Sequence, residues 1–268
     1  MPLRIVVSGG AGRMGRRILA LALEDPALRL AGVLEAPGHP HLGKDAGPLA
    51  GKPELGLSLV SRLKEVEREF EAVIDFSTPE STLELAREVG HSGKPMVIGT
   101  TGFTEKQKTL LVASLQGSAC VLAPNMSVGV NVLFKVAGDV ARTLGAGYDV
   151  EIVEVHHRFK ADAPSGTALR LAEGIARARG IPLAEKARYG REGKPGARDP
   201  EELGILAVRA GDVVGEHTVV FGGIGERLEL VHKAHSRDNF ALGALRAVKW
   251  VVTRPAGMYD MQDVLGLK

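Results

Sequence analysis

The chain has 268 residues, 44% of them hydrophobic and 25% charged, with a net charge of +2, the balance of an ordinary globular protein of one large domain or two modest ones. It has no basic tail, and aromatic residues make up only 4%, which argues against a nucleic-acid-binding surface. Cys120 is the only cysteine, so an intramolecular disulfide and a cysteine-built zinc site are both excluded. The apolar run Leu3 to Val7 is too short for a signal peptide or a membrane span, and a cytoplasmic protein without membrane partners is expected. Asn and Gln are scarce beside Arg, a bias shared by thermophilic proteins and by GC-rich genomes.

In chain order, Leu3 to Ser8 is β-branched and predicts a buried strand. Glycines follow at once, and Arg16 to Leu23 predicts a helix that ends before Pro26. Leu28 to Leu34 and Ala72 to Phe76 predict strands, and Pro79 to Val89 a helix with proline in its first turn. Pro95 to Gly99 predicts a strand, Glu105 to Leu115 a helix, and Ala119 to Ala123 a strand. This alternation implies βαβ units and a parallel sheet, hence an α/β N-terminal domain.

The texture changes after Asn125. Asn131 to Leu144 predicts a long helix, Val150 to His156 a strand and Ser165 to Arg179 a helix; Leu203 to Val231 is a series of strand-like runs broken by glycines. Such a pattern suggests a second, α+β domain with an antiparallel or mixed sheet. The stretch from Tyr189 to Pro200, rich in Gly, Arg and Lys with two prolines, reads as an exposed, mobile loop. Phe240 to Val252 is helical in pattern and is expected to pack back on the first domain. The domain boundaries expected are therefore 1–126 with 238–268, and 127–237.

Gly9 precedes the run Gly10-Ala11-Gly12-Arg13-Met14-Gly15, which matches G-x-G-x-x-G between a predicted strand and a predicted helix. Glycines let the backbone approach a pyrophosphate whose charge then faces unpaired helix N–H groups. Glu35 lies 20 residues beyond Gly15, where a carboxylate accepts from a ribose 2′-hydroxyl. The bland alternative is a glycine-rich turn with an incidental surface acid. Glu35 is followed by Ala36, so no arginine stands beside it to receive a 2′-phosphate, although Arg13 and Arg16 partly compensate; NADH is expected to be preferred, with residual use of NADPH.

The densest cluster of chemistry is His156-His157-Arg-Phe-Lys160-Ala-Asp-Ala-Pro-Ser165-Gly166-Thr167. A helix opening with two hydroxyls makes an anion site suited to a carboxylate, and Lys160 with an imidazole could protonate whatever a hydride addition makes basic. Adjacent strand residues face opposite ways, so His156 and His157 are expected to differ in role. A polar loop with an N-cap serine and two solvated histidines fits the same residues. Zinc held by the histidines and Asp162 is disfavoured, because neighbours on one strand chelate poorly, and no metal is expected. Cys120 lies in the apolar run Ala119 to Ala123 and reads as a small core residue rather than a nucleophile.

Nearly end to end, these segments resemble the dihydrodipicolinate (4-hydroxy-tetrahydrodipicolinate) reductases of the diaminopimelate and lysine pathway. The resemblance is carried by the glycine run ending at Gly15, Ile74-Asp-Phe-Ser77, Val97-Ile-Gly-Thr-Thr-Gly-Phe103 and Asn125-Met-Ser-Val-Gly-Val-Asn131. It continues through Glu154-Val-His-His-Arg-Phe-Lys160, Asp162-Ala-Pro-Ser-Gly-Thr167, Arg209-Ala-Gly-Asp-Val-Val-Gly-Glu-His217 and Tyr259-Asp-Met-Gln-Asp-Val-Leu265. It implies a Rossmann-type cofactor domain and reduction of a cyclic dicarboxylate by NAD(P)H. His156 would be the acid/base residue and Lys160 its proton-donor partner, while His157, Ser165, Gly166 and Thr167 hold the substrate carboxylates. Gly99, Thr100 and Thr101, with Ala123, Pro124, Asn125 and Met126, would line the nicotinamide end, with Thr101 also near substrate. The resemblance further implies hinges near Asn125 to Gly129 and Ser236 to Asn239, and a homotetramer joined through the second domains. Many family members carry Arg where this chain has Ala36, which bears on NADPH affinity and not on the reaction. The rival expectations are a semialdehyde or hydroxy-acid dehydrogenase on a similar fold, and a non-enzymatic NAD(H) sensor.

Overall fold

A computed structural model describes all of residues 1–268. The chain divides into two compact units, residues 1–128 with 237–268, and residues 129–236.

The first unit is built on seven strands: β1 (Leu3–Ser8), β2 (Leu28–Leu34), β3 (Leu59–Val60), β4 (Ala72–Asp75), β5 (Met96–Ile98), β6 (Ala119–Leu122) and β12 (Gly257–Tyr259). Their order is β12-β6-β5-β4-β1-β2-β3, and every pairing is parallel. Six of these strands follow the 3-2-1-4-5-6 order of the dinucleotide-binding sheet, with its crevice beside β1 where the order reverses.

Strand alternation explains why both faces are covered. Ile5, Val7, Ile74, Val97 and Val121 point into one core, and Val6, Val73, Met96, Ile98 and Cys120 into the other. The first core is closed by helices α1 (Arg13–Glu24) and α8 (Asp238–Val251), the second by α3 (Pro79–Ser92) and α4 (Glu105–Ser114). The short helices α2 (Ala46–Leu49) and α9 (Met261–Leu265) complete the unit. Helix α1 starts at Arg13, three residues before its apolar periodicity suggests, because Gly12 is its N-cap and its first turn lies inside the glycine motif.

The second unit holds a five-stranded sheet formed by β7 (Asp149–His156), β8 (Ala187–Arg188), β9 (Leu203–Arg209), β10 (Gly215–Gly222) and β11 (Arg227–Ala234), in the order β11-β10-β7-β9-β8. The hairpin partners β10 and β11 and the β10–β7 pair are antiparallel, whereas β9 is parallel to both β7 and β8. The sheet is therefore mixed, in the class expected. Helices α5 (Val128–Leu144) and α6 (Gly166–Arg179) bury Leu133, Ala137, Ala141, Leu171, Ile175 and their neighbours against Val150, Ile152, Val219 and Phe221. The four-residue helix α7 (Leu183–Lys186) leads into β8.

One expectation needs correcting. The stretch 189–200 is largely exposed, but it is tied down by charge. Arg191 bonds Glu151 and Glu202, and Arg198 reaches Asp149, Glu151 and the carbonyls of Val150 and Glu202. Composition signals a loop without revealing that its two arginines have acidic partners on β7.

Candidate functional site

In the first unit the glycine run turns directly out of β1. Gly9 has φ of +74°, and a Cβ there would overlap the Phe76 carbonyl. A Cβ on Gly15 would come within 2.7 Å of Gly10 Cα, so the start of α1 can pack this closely on the turn only without one. No side chain caps α1 and no acid stands in its first turn, so its leading N–H groups are available to an anion. This cradle, which side chains would fill, fits a dinucleotide pyrophosphate.

Beside it opens a cavity of about 690 Å³, lined among others by Gly9, Ala11, Gly12, Glu35, Arg62 and Ser77. Glu35 leaves the end of β2, and its carboxylate accepts from the Ala11 amide at 2.8 Å and from its neighbour Ala36 at 2.9 Å. Arg16 donates to the Ala11 carbonyl at 2.8 Å, and its guanidinium lies 3.4 Å from His41 Nε2.

The loops after β4 and β5 are joined through Asp75, which is fully buried. Its carboxyl accepts from Ser77 Oγ at 2.7 Å, Thr82 Oγ1 at 2.5 Å and Thr100 Oγ1 at 2.8 Å, while Thr100 Oγ1 takes the Ser77 amide at 3.0 Å. Gly99 packs so closely on the Phe76 ring that a Cβ would not fit. Thr101 is exposed, Ala123 and Met126 are buried, and Pro124 is exposed. Asp75 and Ser77 fall within the motif Ile74-Asp-Phe-Ser77 but are given no role by it, and Thr82 lies outside every such motif; the one signal for their part in the site is a carboxyl at the end of a buried strand.

In the second unit β7 alternates strictly, with Val150, Ile152, Glu154 and His156 on its buried face. The first two residues enter the core, and the last two bring charge to the C-terminal end. Glu154 is fully buried and has four donors. These are His156 Nδ1 at 2.5 Å, the Arg209 guanidinium at 2.8 and 2.9 Å, and the Ser165 amide at 3.0 Å. Burial alone would raise the Glu154 carboxyl, but the Arg209, His156 and Ser165 donors outweigh it and hold it below the usual carboxylate range.

Burial lowers His156, more than the Glu154 partnership raises it. A ring lowered in this way is neutral near pH 7, and it is the Nδ1 side that faces the Glu154 carboxylate. Gly215 lies beside that nitrogen; a Cβ there would be 2.9 Å from Nε2. His217, opposite Glu154 on β10, meets the His156 ring edge-on at 5.2 Å, and burial pushes it down to about 3.

Lys160 follows in the loop and pairs with Asp162 at 2.8 Å; its positive charge acts to lower His156. His157 is half-buried, 6.4 Å from the Phe159 ring, and its Nδ1 is buried without a partner. Ser165 caps α6 by accepting from the Ala168 amide at 3.2 Å, and its hydroxyl also meets His217 Nε2 at 3.2 Å. The Ser165 hydroxyl thus points inward, while Gly166 at the helix start is exposed.

The residues that motif reading singles out between 156 and 167 thus share one end of β7. Glu154, Arg209 and His217, which hold them together, are assigned no role by that reading. Two-residue spacing in a strand was the signal for Glu154. Cys120 is fully buried in β6, where burial raises its thiol far above the ordinary value. No grouping of three or more His, Cys, Asp or Glu side chains is placed to hold a metal ion, and no helix is long and apolar enough to cross a membrane.

Comparison with known proteins covers almost the whole chain. Residues 3–126 match the family described as dihydrodipicolinate reductase, N-terminus, and residues 129–265 its C-terminus. The 4-hydroxy-tetrahydrodipicolinate reductase of Syntrophus aciditrophicus is 51% identical over 266 residues, covering 99% of each chain. That of Methylococcus capsulatus is 49% identical over 268 residues and 100% of each. Among solved structures, the dipicolinate-bound dihydrodipicolinate reductase from Paenisporosarcina sp. TG-14 superposes with a TM-score of 0.75 at 25% identity, over 98% of this chain and 99% of that one. GenD2 from gentamicin A biosynthesis, in complex with NAD, shares the fold at a TM-score of 0.60 and 15% identity, over 99% of this chain and 91% of that one. With both of its halves matched and relatives about half identical along its full length, this chain belongs to the dihydrodipicolinate reductase family.

Proposed function

We propose that this protein is a cytoplasmic NAD(P)H-dependent reductase that converts 4-hydroxy-tetrahydrodipicolinate to tetrahydrodipicolinate, with loss of water in the net reaction. The observation that carries the reading is one cluster at the end of β7. There a neutral imidazole with an open Nε2, a lysine and the first turn of α6 come together. Such a set binds carboxylates and moves a proton.

The dinucleotide is held by residues 9–14, with Glu35 on the adenosine ribose, and by residues 99–101 and 123–126 toward the nicotinamide. When bound it supplies the hydride. The chain's own part is orientation and proton delivery. His157 and the Ser165-Gly166-Thr167 turn hold the two carboxylates of the substrate and fix the ring in place, and Thr101 is a further substrate-binding residue. The inward Ser165 hydroxyl acts by shaping the turn, and the exposed Gly166 backbone offers the outward N–H. Lys160 at Nζ, and His156 once it has taken up a proton at Nε2 and become the imidazolium, deliver a proton to the carbon or nitrogen that hydride addition leaves basic.

NADH is the preferred cofactor, with NADPH a poorer one. This rests on the Glu35 carboxylate and on the absence of an arginine at position 36. Association into a homotetramer through the second unit's sheet is supported by β11, an edge strand that exposes Leu228 and Val231; light scattering on the purified protein tests it.

The decisive experiment follows oxidation of NADH and of NADPH with substrate generated by a dihydrodipicolinate synthase. Rapid oxidation that depends on the synthase product is expected. Protein that binds NADH but turns over with neither cofactor would overturn the reading. His156→Ala and Lys160→Ala variants that both keep near-normal kcat would overturn the residue roles.

A further inference from the structure

We propose that Glu154, clamped by Arg209, is the positioning residue of the reaction: it fixes the tautomer and the ring plane of His156 and ties together the three segments that carry the proton-transfer and carboxylate-binding groups. This inference rests on the role given to His156 above.

A fully buried carboxylate in a sheet core is costly, and a hydrophobic residue of similar volume is often at least as stabilising. Position 154 is on the same face as Val150 and Ile152, where an apolar residue would continue the core. The charge that stands there instead is fully engaged. One oxygen takes His156 Nδ1 at 2.5 Å and Arg209 at 2.8 Å; the other takes Arg209 at 2.9 Å and the Ser165 amide at 3.0 Å.

Each bond leads to a different part of the site. The first holds His156. The Ser165 bond fixes the residue from which α6 springs. Arg209 extends the set further, because the same guanidinium also donates to the Asp162 carbonyl at 2.5 Å and to the Val208 carbonyl at 2.8 Å. Arg209 therefore anchors the loop between His156 and Ser165, which carries Lys160.

The consequence for His156 is a choice of tautomer. A carboxylate at Nδ1 accepts a proton there and leaves Nε2 as the basic nitrogen, as second-layer carboxylates do for other functional histidines. Nε2 lies over Gly215, so the ring is not pushed out of the plane that Glu154 sets. The charged and titratable groups facing His156 are Glu154 on β7, Lys160 in the loop, Arg209 on β9 and His217 on β10. Of these only Glu154 favours the imidazolium. Without it, His156 would titrate at lower pH.

The test has two arms. Nitrogen-15 NMR of the histidine rings in the wild-type protein is expected to show His156 as the Nδ1–H tautomer when neutral; an Nε2–H tautomer would overturn the proposal without any variant having to fold. Glu154→Gln removes the charge and cannot serve Arg209 and His156 together. It is expected to lower kcat about 10- to 100-fold, leave the KM for NADH unchanged, and move the pH limb assigned to His156 to lower pH. A folded Glu154→Gln enzyme with wild-type kcat and an unmoved limb would also overturn it. His156→Ala run in parallel separates the two claims. Near-normal kcat in that variant would dispose of the acid/base role, whereas the tautomer measurement judges the positioning by Glu154 on its own.

Discussion

One oxygen of the Glu35 carboxylate accepts the Ala11 amide at 2.8 Å while the other accepts the Ala36 amide at 2.9 Å, so the acid that ends β2 is bonded into the glycine turn it faces. It thereby joins the cofactor-specifying position to the pyrophosphate-binding loop. A ribose hydroxyl can add a further donor to this carboxylate, whereas a phosphate at the same place meets like charge. Charge-assisted bonds of this kind contribute about 1.5–3 kcal/mol. Glu35→Ala is therefore expected to raise the KM for NADH by about 10-fold or more. Ala36→Arg is expected to move the NADPH-to-NADH ratio of kcat/KM upward by about 10-fold. Ratios unchanged in both variants would mean that the ribose is read elsewhere.

Asp75 does comparable work on the same edge of the sheet, at the end of β4 on the other side of β1. Its carboxyl takes three hydroxyls, from Ser77, Thr82 and Thr100, and Asp75→Asn turns one acceptor oxygen into a donor that faces them. Leaving buried hydrogen-bonding groups unmatched costs about 1–3 kcal/mol each. A loss of stability of that order is expected in denaturant titrations, with a raised KM for the dinucleotide because the Thr100 loop loses its tether. If stability fell but dinucleotide affinity did not, Asp75 would be a purely structural residue.

The sequence made the first unit's sheet easy to read and the second unit's site hard. Runs such as Leu3–Ser8 and Leu28–Leu34 are buried on both faces, as parallel strands between helix layers must be, and their boundaries match those expected. The glycine turn is legible because each of its residues meets a local steric need. By contrast α2, β3, β8, β12 and α9 span two to five residues, too few for a period to emerge. The Glu154 cluster eludes local reading for another reason: besides His156, its donors come from positions 11 and 55 residues away, brought to it by the start of α6 and by the β7–β9 register. His156 and Lys160 stand out as reactive types, whereas Glu154 and Arg209 look like any charged pair until their burial is known.

Cys120 separates this reading from a thiol-dependent dehydrogenase. It is fully buried and its thiol is pushed well up by burial, with the Asp75 charge adding to the shift, so the thiolate that a nucleophile needs is suppressed. Cys120→Ala is expected to keep kcat/KM within about twofold and to cost on the order of 1 kcal/mol through the small cavity left behind. Alkylating reagents should modify the thiol only on unfolding. Activity lost on modification of the native protein would favour the rival mechanism.

His217 makes the fold sensitive to acid. Ser165 Oγ accepts the Ala168 amide and can pass its own proton to His217 Nε2, a bond available only to the neutral ring with its proton on Nδ1. Burial, then the nearby His156 charge, lowers the group to about 3. In the unfolded chain it titrates at about 6.5. Between these values the unfolded state binds the extra proton, so stability falls as pH drops through that window and is fully present above it. Over pH 7 to 5 the contribution lost is about 2 kcal/mol. His217→Gln cannot titrate, and is expected to lose less stability than the wild type over the same interval, whatever its stability at pH 7. Denaturant titrations of both proteins at the two pH values give the comparison directly. Equal losses would mean that His217 already carries a proton in the folded protein, and that the Ser165 hydroxyl does not donate to its Nε2.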